Sequence, residues 1–148
     1  MATAAAAALR AAIHDALVAD TPLNALLGGA HVYDEPPLSA VFPYVTLGEA
    51  RVTDWSTGTE RGEEHQLTLH AWSRQGGHKE AHLVAGALLQ ALDDAPLILV
   101  DHRLVNFRFA LADHRLVNFR FAVADVRREA DGRTYHALVR FRAVTEPL

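Results

Sequence analysis

The sequence predicts an α+β fold, a mainly antiparallel sheet with two amphipathic helices on one of its faces. Two segments place apolar residues at helical spacing, and several others alternate apolar and polar residues as strands do. The order is helix, two strands, helix and further strands, without the strict alternation that builds a parallel sheet. At 148 residues, half of them apolar, the chain is expected to form a single domain spanning residues 1–148.

The first helix is predicted over residues 3–19, a segment rich in alanine, which is the best helix former. Its apolar residues recur at helical spacing. They are Leu9, Ile13, Ala16 and Leu17. Thr21-Pro22 is expected to end this helix, and a short helical turn then stops at Gly28-Gly29. A short strand is expected at 31–33.

Two strands, 44–54 and 64–74, are predicted to pair as a hairpin. Between them, residues 55–63 are polar and include two glycines. This loop is longer than a tight hairpin turn and too polar to bury, so we expect it to project from the domain.

A second amphipathic helix is predicted over 78–92, followed by strands at 97–100, in the repeated segment described next, and at 135–145. Asp131-Gly132 signals a turn before the last strand. Alternation along that strand divides its side chains between two faces. Tyr135, Ala137, Val139, Phe141 and Ala143 are expected to face the core, and His136, Arg140 and Arg142 to face away from it.

The most unusual feature is a tandem repeat of twelve residues, 101–112 and 113–124, whose copies differ only at Leu111 and Val123. Because twelve is even, both copies present the same side chains to the same face, and a sheet could accept either one in a single register. Two extended copies are too long for a domain of this size, so the chain must turn between them. We expect an added hairpin, with its turn near 112–114, or a looped-out first copy.

Charge is divided unevenly along the chain. Residues 1–100 carry 5 basic and 12 acidic side chains, whereas residues 101–148 carry 9 arginines and 6 acidic side chains. The molecule is therefore dipolar. Without a basic patch or a base-stacking motif, this pattern does not predict specific recognition of nucleic acid.

No catalytic constellation emerges from the sequence. His78 and His82 could share a helix face as zinc ligands, but no third ligand is indicated, so the sequence favours no metal and no cofactor. The Asp101-His102 pair and its copy lie on strands, where neighbouring side chains point to opposite faces. Phosphate-binding loops and the nucleophile-elbow motif are absent. Nor does any apolar run reach the roughly 20 residues that span a bilayer, so no membrane association is expected.

Several phrases, taken in order, resemble the tail terminators, a family of small phage tail-completion proteins, particularly those of the long-tailed phage-like gene transfer agents. The most specific are Trp72-Ser73-Arg74, the following Gly77, and Arg140-Phe141-Arg142 in the closing strand. The remaining segments are 32–37, 42–48, 70–71, 80–81, 91–92, 96–97, 102–105 or 114–117, 131–132, 139, 143 and 145–146. The resemblance covers nearly the whole chain and departs from the family pattern at the second repeat copy.

The resemblance implies a structural virion protein rather than an enzyme. Such a subunit assembles in the bacterial cytoplasm into a homo-oligomeric ring, expected to be a hexamer. The ring caps the head-proximal end of the tail, stops polymerisation of the tail tube and joins it to the head connector, leaving a channel through which DNA passes unrecognised. Two alternatives remain: a neck or stopper protein of the head–tail connector, and a small metal-dependent enzyme.

A ring closes through heterologous contacts, and opposite charges on the two contacting patches favour closure. We therefore expect arginines of the last strands to meet acidic residues of a neighbouring subunit, and the polar loop to dock on the tail tube or on a neighbour. The candidate contact residues are Trp55, Ser56, Thr57, Thr59, Glu60, Arg61, Arg127, Arg140 and Arg142.

Overall fold

The computed structural model describes residues 2–54, 56, 58–59, 61–75, 77–99, 102–109 and 126–147. Within these residues the chain forms three helices and six strands. The helices are α1 (Ala2–Val18), α2 (Thr21–Leu27) and α3 (Gly77–Leu92). The strands are β1 (Val32–Tyr33), β2 (Tyr44–Asp54), β3 (Glu63–Ser73), β4 (His102–Phe109), β5 (Arg127–Arg128) and β6 (Tyr135–Pro147).

The strands form one mixed sheet in the order β1-β2-β3-β6-β4, with β5 also paired to β6. Among the described strands, only β1 and β2 are parallel, and the other pairs are antiparallel. The predicted hairpin is confirmed, with Tyr44 opposite Trp72 and Asp54 opposite Glu63. The register of β2 shifts between Leu47 and Ala50. An α+β fold with a mainly antiparallel sheet is thus confirmed.

All three helices contribute to a core on one face of the sheet. From α1, Leu9, Ile13 and Leu17 are fully buried, as the helical spacing predicted. The other buried apolar residues of this core include Leu23, Val45, Leu67, Leu69, Ala71, Ala81, Val84, Leu88, Leu92, Ala137, Val139, Phe141 and Ala143. Burying one such leucine or phenylalanine side chain contributes about 1.5–3 kcal/mol. This face of the sheet is the helix face, and the opposite one is called the outer face below.

The short helical turn predicted after α1 forms a complete short helix, α2. The side chain of Asp20 accepts a hydrogen bond from the Leu23 amide at 3.0 Å, which caps the N-terminus of α2. Pro22 lies in the first turn, where its missing N–H costs nothing. Gly28, with φ of 76°, terminates α2 in the left-handed conformation that glycine adopts without strain. The same Thr21-Pro22 pair thus ends one helix and starts the next.

Alternation along β3 and β6 is confirmed. His65 lies on the helix face, where its Nε2 is hydrogen-bonded to Thr145 Oγ1 at 2.9 Å. His70 lies on the outer face, as expected from its odd separation from His65. On β6, Phe141 is fully buried, whereas Arg140 and Arg142 are half-buried on the outer face.

Residues 102–109 of the first repeat copy form β4, so the looped-out first copy that we considered is wrong. Phe109 pairs with Phe141 and Arg127 pairs with His136, both on the same edge of β6. Along β6, Phe141 and His136 are five residues apart, whereas their partners Phe109 and Arg127 are eighteen residues apart in the sequence. The segment opposite β6 therefore contains thirteen extra residues. A duplication of twelve accounts for all but one residue of that excess. The second copy, with the turn predicted near 112–114, lies outside the described residues.

Of the strand predicted at 97–100, residues 97–99 are described, and among them only Leu99 makes an isolated bridge. The Leu97 amide instead donates to the Ala95 carbonyl at 2.9 Å, so its hydrogen bond is local. Ile98 is 90% exposed, which is inconsistent with a core strand. Pro96 lacks the amide that a ladder would need at that position.

Candidate subunit and partner contacts

The base of the β2–β3 loop is closed by side-chain hydrogen bonds. Both the amide and the hydroxyl of Ser56 donate to Asp54 Oδ1, at 3.0 and 2.6 Å. The Gly62 amide in turn donates to Ser56 Oγ at 3.2 Å, and Gly62 is buried. Ser56 therefore fixes the loop base, a role internal to the subunit.

Of the other predicted loop contacts, Thr59 and Arg61 are described and exposed, as a docking role requires. Three further predicted contacts, Trp55, Thr57 and Glu60, lie outside the described residues. The prediction that this loop contacts a partner stays a prediction.

The three predicted arginines occupy different environments. Arg142 Nε donates to Glu64 Oε2 at 2.7 Å, an ion pair within the subunit. Arg140 Nε donates to Thr68 Oγ1 at 3.3 Å. The side chain of Arg127 is 70% exposed and lies 3.6 Å from Glu129. Arg127 is therefore the most available of the three for a neighbouring subunit.

Opposite charges lie at opposite sides of the sheet. Asp15 on α1 and Asp34, just after β1, are 82% and 70% exposed. Arg127 and Arg128 form β5, beyond β6 on the far side of the sheet. We call the edge with the exposed Asp15 and Asp34 the acidic side and the edge with the exposed Arg127 and Arg128 the basic side; within the subunit, Arg10 pairs with Asp34 and Glu129 lies beside Arg127.

One end of the outer face is held by Arg74. Its guanidinium lies 4.1 Å from the centre of the Phe42 ring, and its Nε donates to Thr134 Oγ1 at 3.1 Å. It also lies 3.8 Å from Asp131. Hydrogen bonds from the Thr134 hydroxyl and from the amides of residues 133 and 134 lower the pKa of Asp131 to about 2. Arg74 therefore links the segment before β2 to the turn before β6.

Aromatic rings extend this arrangement across the sheet. The Tyr44 and Phe42 ring centres are 4.9 Å apart, and Tyr44 and Trp72 are 6.5 Å apart. The Trp72 indole lies parallel to the His136 ring, with centres 4.0 Å apart and planes 3° from parallel. Burial raises the pKa of the Tyr44 hydroxyl above its usual value.

Sequence reasoning missed a pair of histidines beside this aromatic row. His70 Nδ1 and His136 Nε2 are 2.6 Å apart. Their outer nitrogens face carboxylates, His70 Nε2 with Glu49 at 2.9 Å and His136 Nδ1 with Glu129 at 3.0 Å. Both histidines occupy outer-face positions in strands predicted from the sequence, but the register that joins these strands was not predictable from alternation alone.

Among the described residues, no group of three or more His, Cys, Asp or Glu side chains is arranged so that it could hold a metal ion. His78 packs edge-on against the Tyr135 ring, with centres 4.7 Å apart, and His82 is half-buried on α3. Within the described part of the chain, no helix is long and apolar enough to cross a membrane.

Comparison with known proteins identifies relatives of this fold. A family model described as tail completion protein gp17 matches residues 11–146. A chain from the virion of a native gene transfer agent particle is 32% identical, with a TM-score of 0.80, covering 97% of this chain and 98% of that chain. A comparison with curated proteins finds no match.

The structure of the gp17 protein of bacteriophage SPP1 shares the fold, with a TM-score of 0.58 and 24% identity. That alignment covers 97% of this chain and 94% of the SPP1 chain. The family model spans most of the sequence, including α2, α3, strands β1 to β5 and all of β6 except its last residue. The chain therefore belongs to the tail completion protein gp17 family.

Proposed function

We propose that this chain is the tail terminator of a phage-like particle, a structural protein that caps the head-proximal end of the tail tube. The observation that carries the proposal is the match to a tail-completion family over residues 11–146. The similar chain from a gene transfer agent virion supports a place in a particle of that kind. In our proposal the capped tube binds the head connector, and the subunit assembles in the cytoplasm of the host bacterium before joining the particle.

The ring in this proposal, six copies of the chain, closes through contact between the acidic and basic sides of adjacent subunits. Asp15 and Asp34 are exposed on one side, and Arg127 is exposed on the other. In a ring each interface joins two different patches, so opposite charges on opposite sides favour closure. Arg140 and Arg142 are already hydrogen-bonded within the subunit, and we assign them a smaller share of this contact.

Charge reversal tests the interface. Arg127→Glu should weaken assembly, because it places an acidic side chain against the acidic side of the neighbour, and Asp15→Arg in the same chain should restore it. Lys79→Glu, a reversal of the same size at an exposed position on α3, is the matched control. Light scattering after gel filtration and negative-stain images of the same fractions report assembly. Rings that persist when Arg127, Arg140 and Arg142 are all reversed would refute the charge contact.

The ring encloses a channel for DNA in this proposal. The whole chain has a formal net charge of −4, and an acidic wall would avoid holding phosphates through counterion release. DNA would then pass without sequence-specific contacts. A structure of the assembled ring whose channel wall lacks acidic side chains would count against this part of the proposal.

The β2–β3 loop is the proposed docking element for the tail tube or for the adjacent subunit. Its tip residues Thr59 and Arg61 are exposed, whereas Ser56 and Gly62 hold its base. The described geometry therefore separates a fixed base from an exposed tip. Such a tip can be altered without disturbing the sheet from which it projects.

A neck or stopper protein would have a similar size and would likewise need no active site. Its position in the particle distinguishes it from a tail terminator. Labelled chain located between the tube end and the connector supports the terminator, whereas labelled chain within the connector supports the stopper. For an enzyme, the discriminating result is stoichiometric zinc in the purified protein, with an activity lost in His78→Ala and His82→Ala variants.

A further inference from the structure

The outer face contains a hydrogen-bonded chain of four side chains from separate segments: Glu49, His70, His136 and Glu129. They come from β2, β3, β6 and the segment after β5. The two histidine side chains are 13% and 6% exposed, so the link between the rings is shielded from water. We refer to His70 and His136 as the histidine pair. This inference is independent of the proposed function.

Proton counting determines the charge of the histidine pair. An ionised carboxylate only accepts hydrogen bonds, so each ring nitrogen facing Glu49 or Glu129 must carry a proton. A neutral imidazole has only one N–H, and in each ring that N–H would face a carboxylate. The two inner nitrogens, 2.6 Å apart, would then face each other with unprotonated lone pairs. A third proton between His70 Nδ1 and His136 Nε2 turns that repulsion into a hydrogen bond.

We propose that the histidine pair holds this third proton at neutral pH and acts as an acid-labile cationic staple across the outer face. The staple joins β2, β3 and β6 to the segment after β5 through three hydrogen bonds. A fourth proton, taken up in acid, would give both inner nitrogens an N–H. The rings would then repel each other and separate, which breaks the hydrogen bond between His70 and His136.

The surroundings favour one extra proton and oppose a second. Glu49 and Glu129 face the rings and stabilise positive charge, whereas Arg127 lies near enough to oppose it; Arg140 lies near Glu49 and lowers the pKa of that carboxyl. The Trp72 ring, stacked on His136, also favours a cation over its face. Burial and the adjacent His70 lower the pKa of His136, although Glu129 raises it. The hydrogen bond from His70 lowers the pKa of Glu49, which keeps that carboxylate ionised.

Ring nitrogen NMR of the intact chain counts the protons directly, because protonated and bare imidazole nitrogens resonate far apart. At neutral pH we expect three protonated nitrogens in the histidine pair, and after acidification we expect four, with loss of the coupling between the rings. Two protonated nitrogens at neutral pH would overturn the proposal. A coupling between the rings that survives the fourth proton would also overturn it.

Tryptophan fluorescence provides a second test in a Trp55→Phe background, where Trp72 is the remaining indole. A stacked imidazolium quenches indole emission, so His136→Gln should raise Trp72 emission several-fold at neutral pH. His82→Gln, which alters a half-buried histidine on α3, is the matched control and should leave emission unchanged. Equal emission from both variants would contradict a charged ring beside Trp72.

Discussion

Gly48→Ala should destabilise the protein by forcing apart β2 and β3 beside His70. A methyl group at residue 48 would lie 2.5 Å from two atoms of the His70 ring and 2.8 Å from the Thr68 carbonyl oxygen. The ring can rotate, but the carbonyl belongs to the β3 backbone and cannot. Overpacking of this kind costs about 1–3 kcal/mol. Losing the His70–Glu49 hydrogen bond adds up to about 1 kcal/mol, because that carboxylate is mostly exposed.

The combined loss of about 1–4 kcal/mol corresponds to a drop in Tm of roughly 2–16 °C for a chain of this length. Gly86→Ala is the matched control, because nothing lies within 4 Å of its added methyl group and it occupies the exposed side of α3. That variant should gain about 0.5–1 kcal/mol from helix propensity and reduced freedom of the unfolded chain. Thermal and urea unfolding of both variants measure the difference. Equal stability of Gly48→Ala and the parent chain would refute the steric reasoning.

Three further predictions concern pH, the loop and the repeat. Folding lowers the pKa of His136, so below about pH 6.5 the unfolded chain binds more protons than the folded chain and the free energy of unfolding should fall. Urea titrations at several pH values should show this dependence in the parent chain and its loss in His136→Gln. Deleting residues 57–61 joins Ser56 to Gly62, already hydrogen-bonded at 3.2 Å, and should leave a folded protein that fails to cap tails; tails of normal length would disprove the docking role. Deleting residues 113–124 leaves one extra residue, rather than thirteen, between Phe109 and Arg127 relative to their partners on β6, and should preserve the fold. Loss of the cooperative unfolding transition would show that the second copy is required.

Much of the fold was predictable because its strongest signals are periodic. The spacing of Leu9, Ile13 and Leu17 predicts which side of α1 is buried, and alternation along β3 and β6 correctly assigns Phe141 to the core and Arg142 to the outer face. These signals depend on the geometry of one element at a time. They can therefore be recognised in the sequence without knowing which strands are neighbours.

Features that depend on contacts between distant segments were less accessible. The segment 97–100 is apolar enough to suggest a strand, but local hydrogen bonding at Leu97 and exposure of Ile98 override that pattern. The histidine pair required the register that places Trp72 opposite His136, and alternation does not specify which strands are neighbours. The roles of Ser56 in closing the loop and of Arg74 in linking two segments likewise arise from tertiary contacts.

The central claim is that this chain terminates a tail tube, and the most direct measurement is tube growth in its presence. Tube protein of the corresponding particle would be polymerised with and without the purified, gold-labelled chain, and tube ends and lengths would be recorded by electron microscopy. We predict label at one end of each tube and no further elongation from that end. Continued growth from labelled ends, or label absent from tube ends, would contradict the claim.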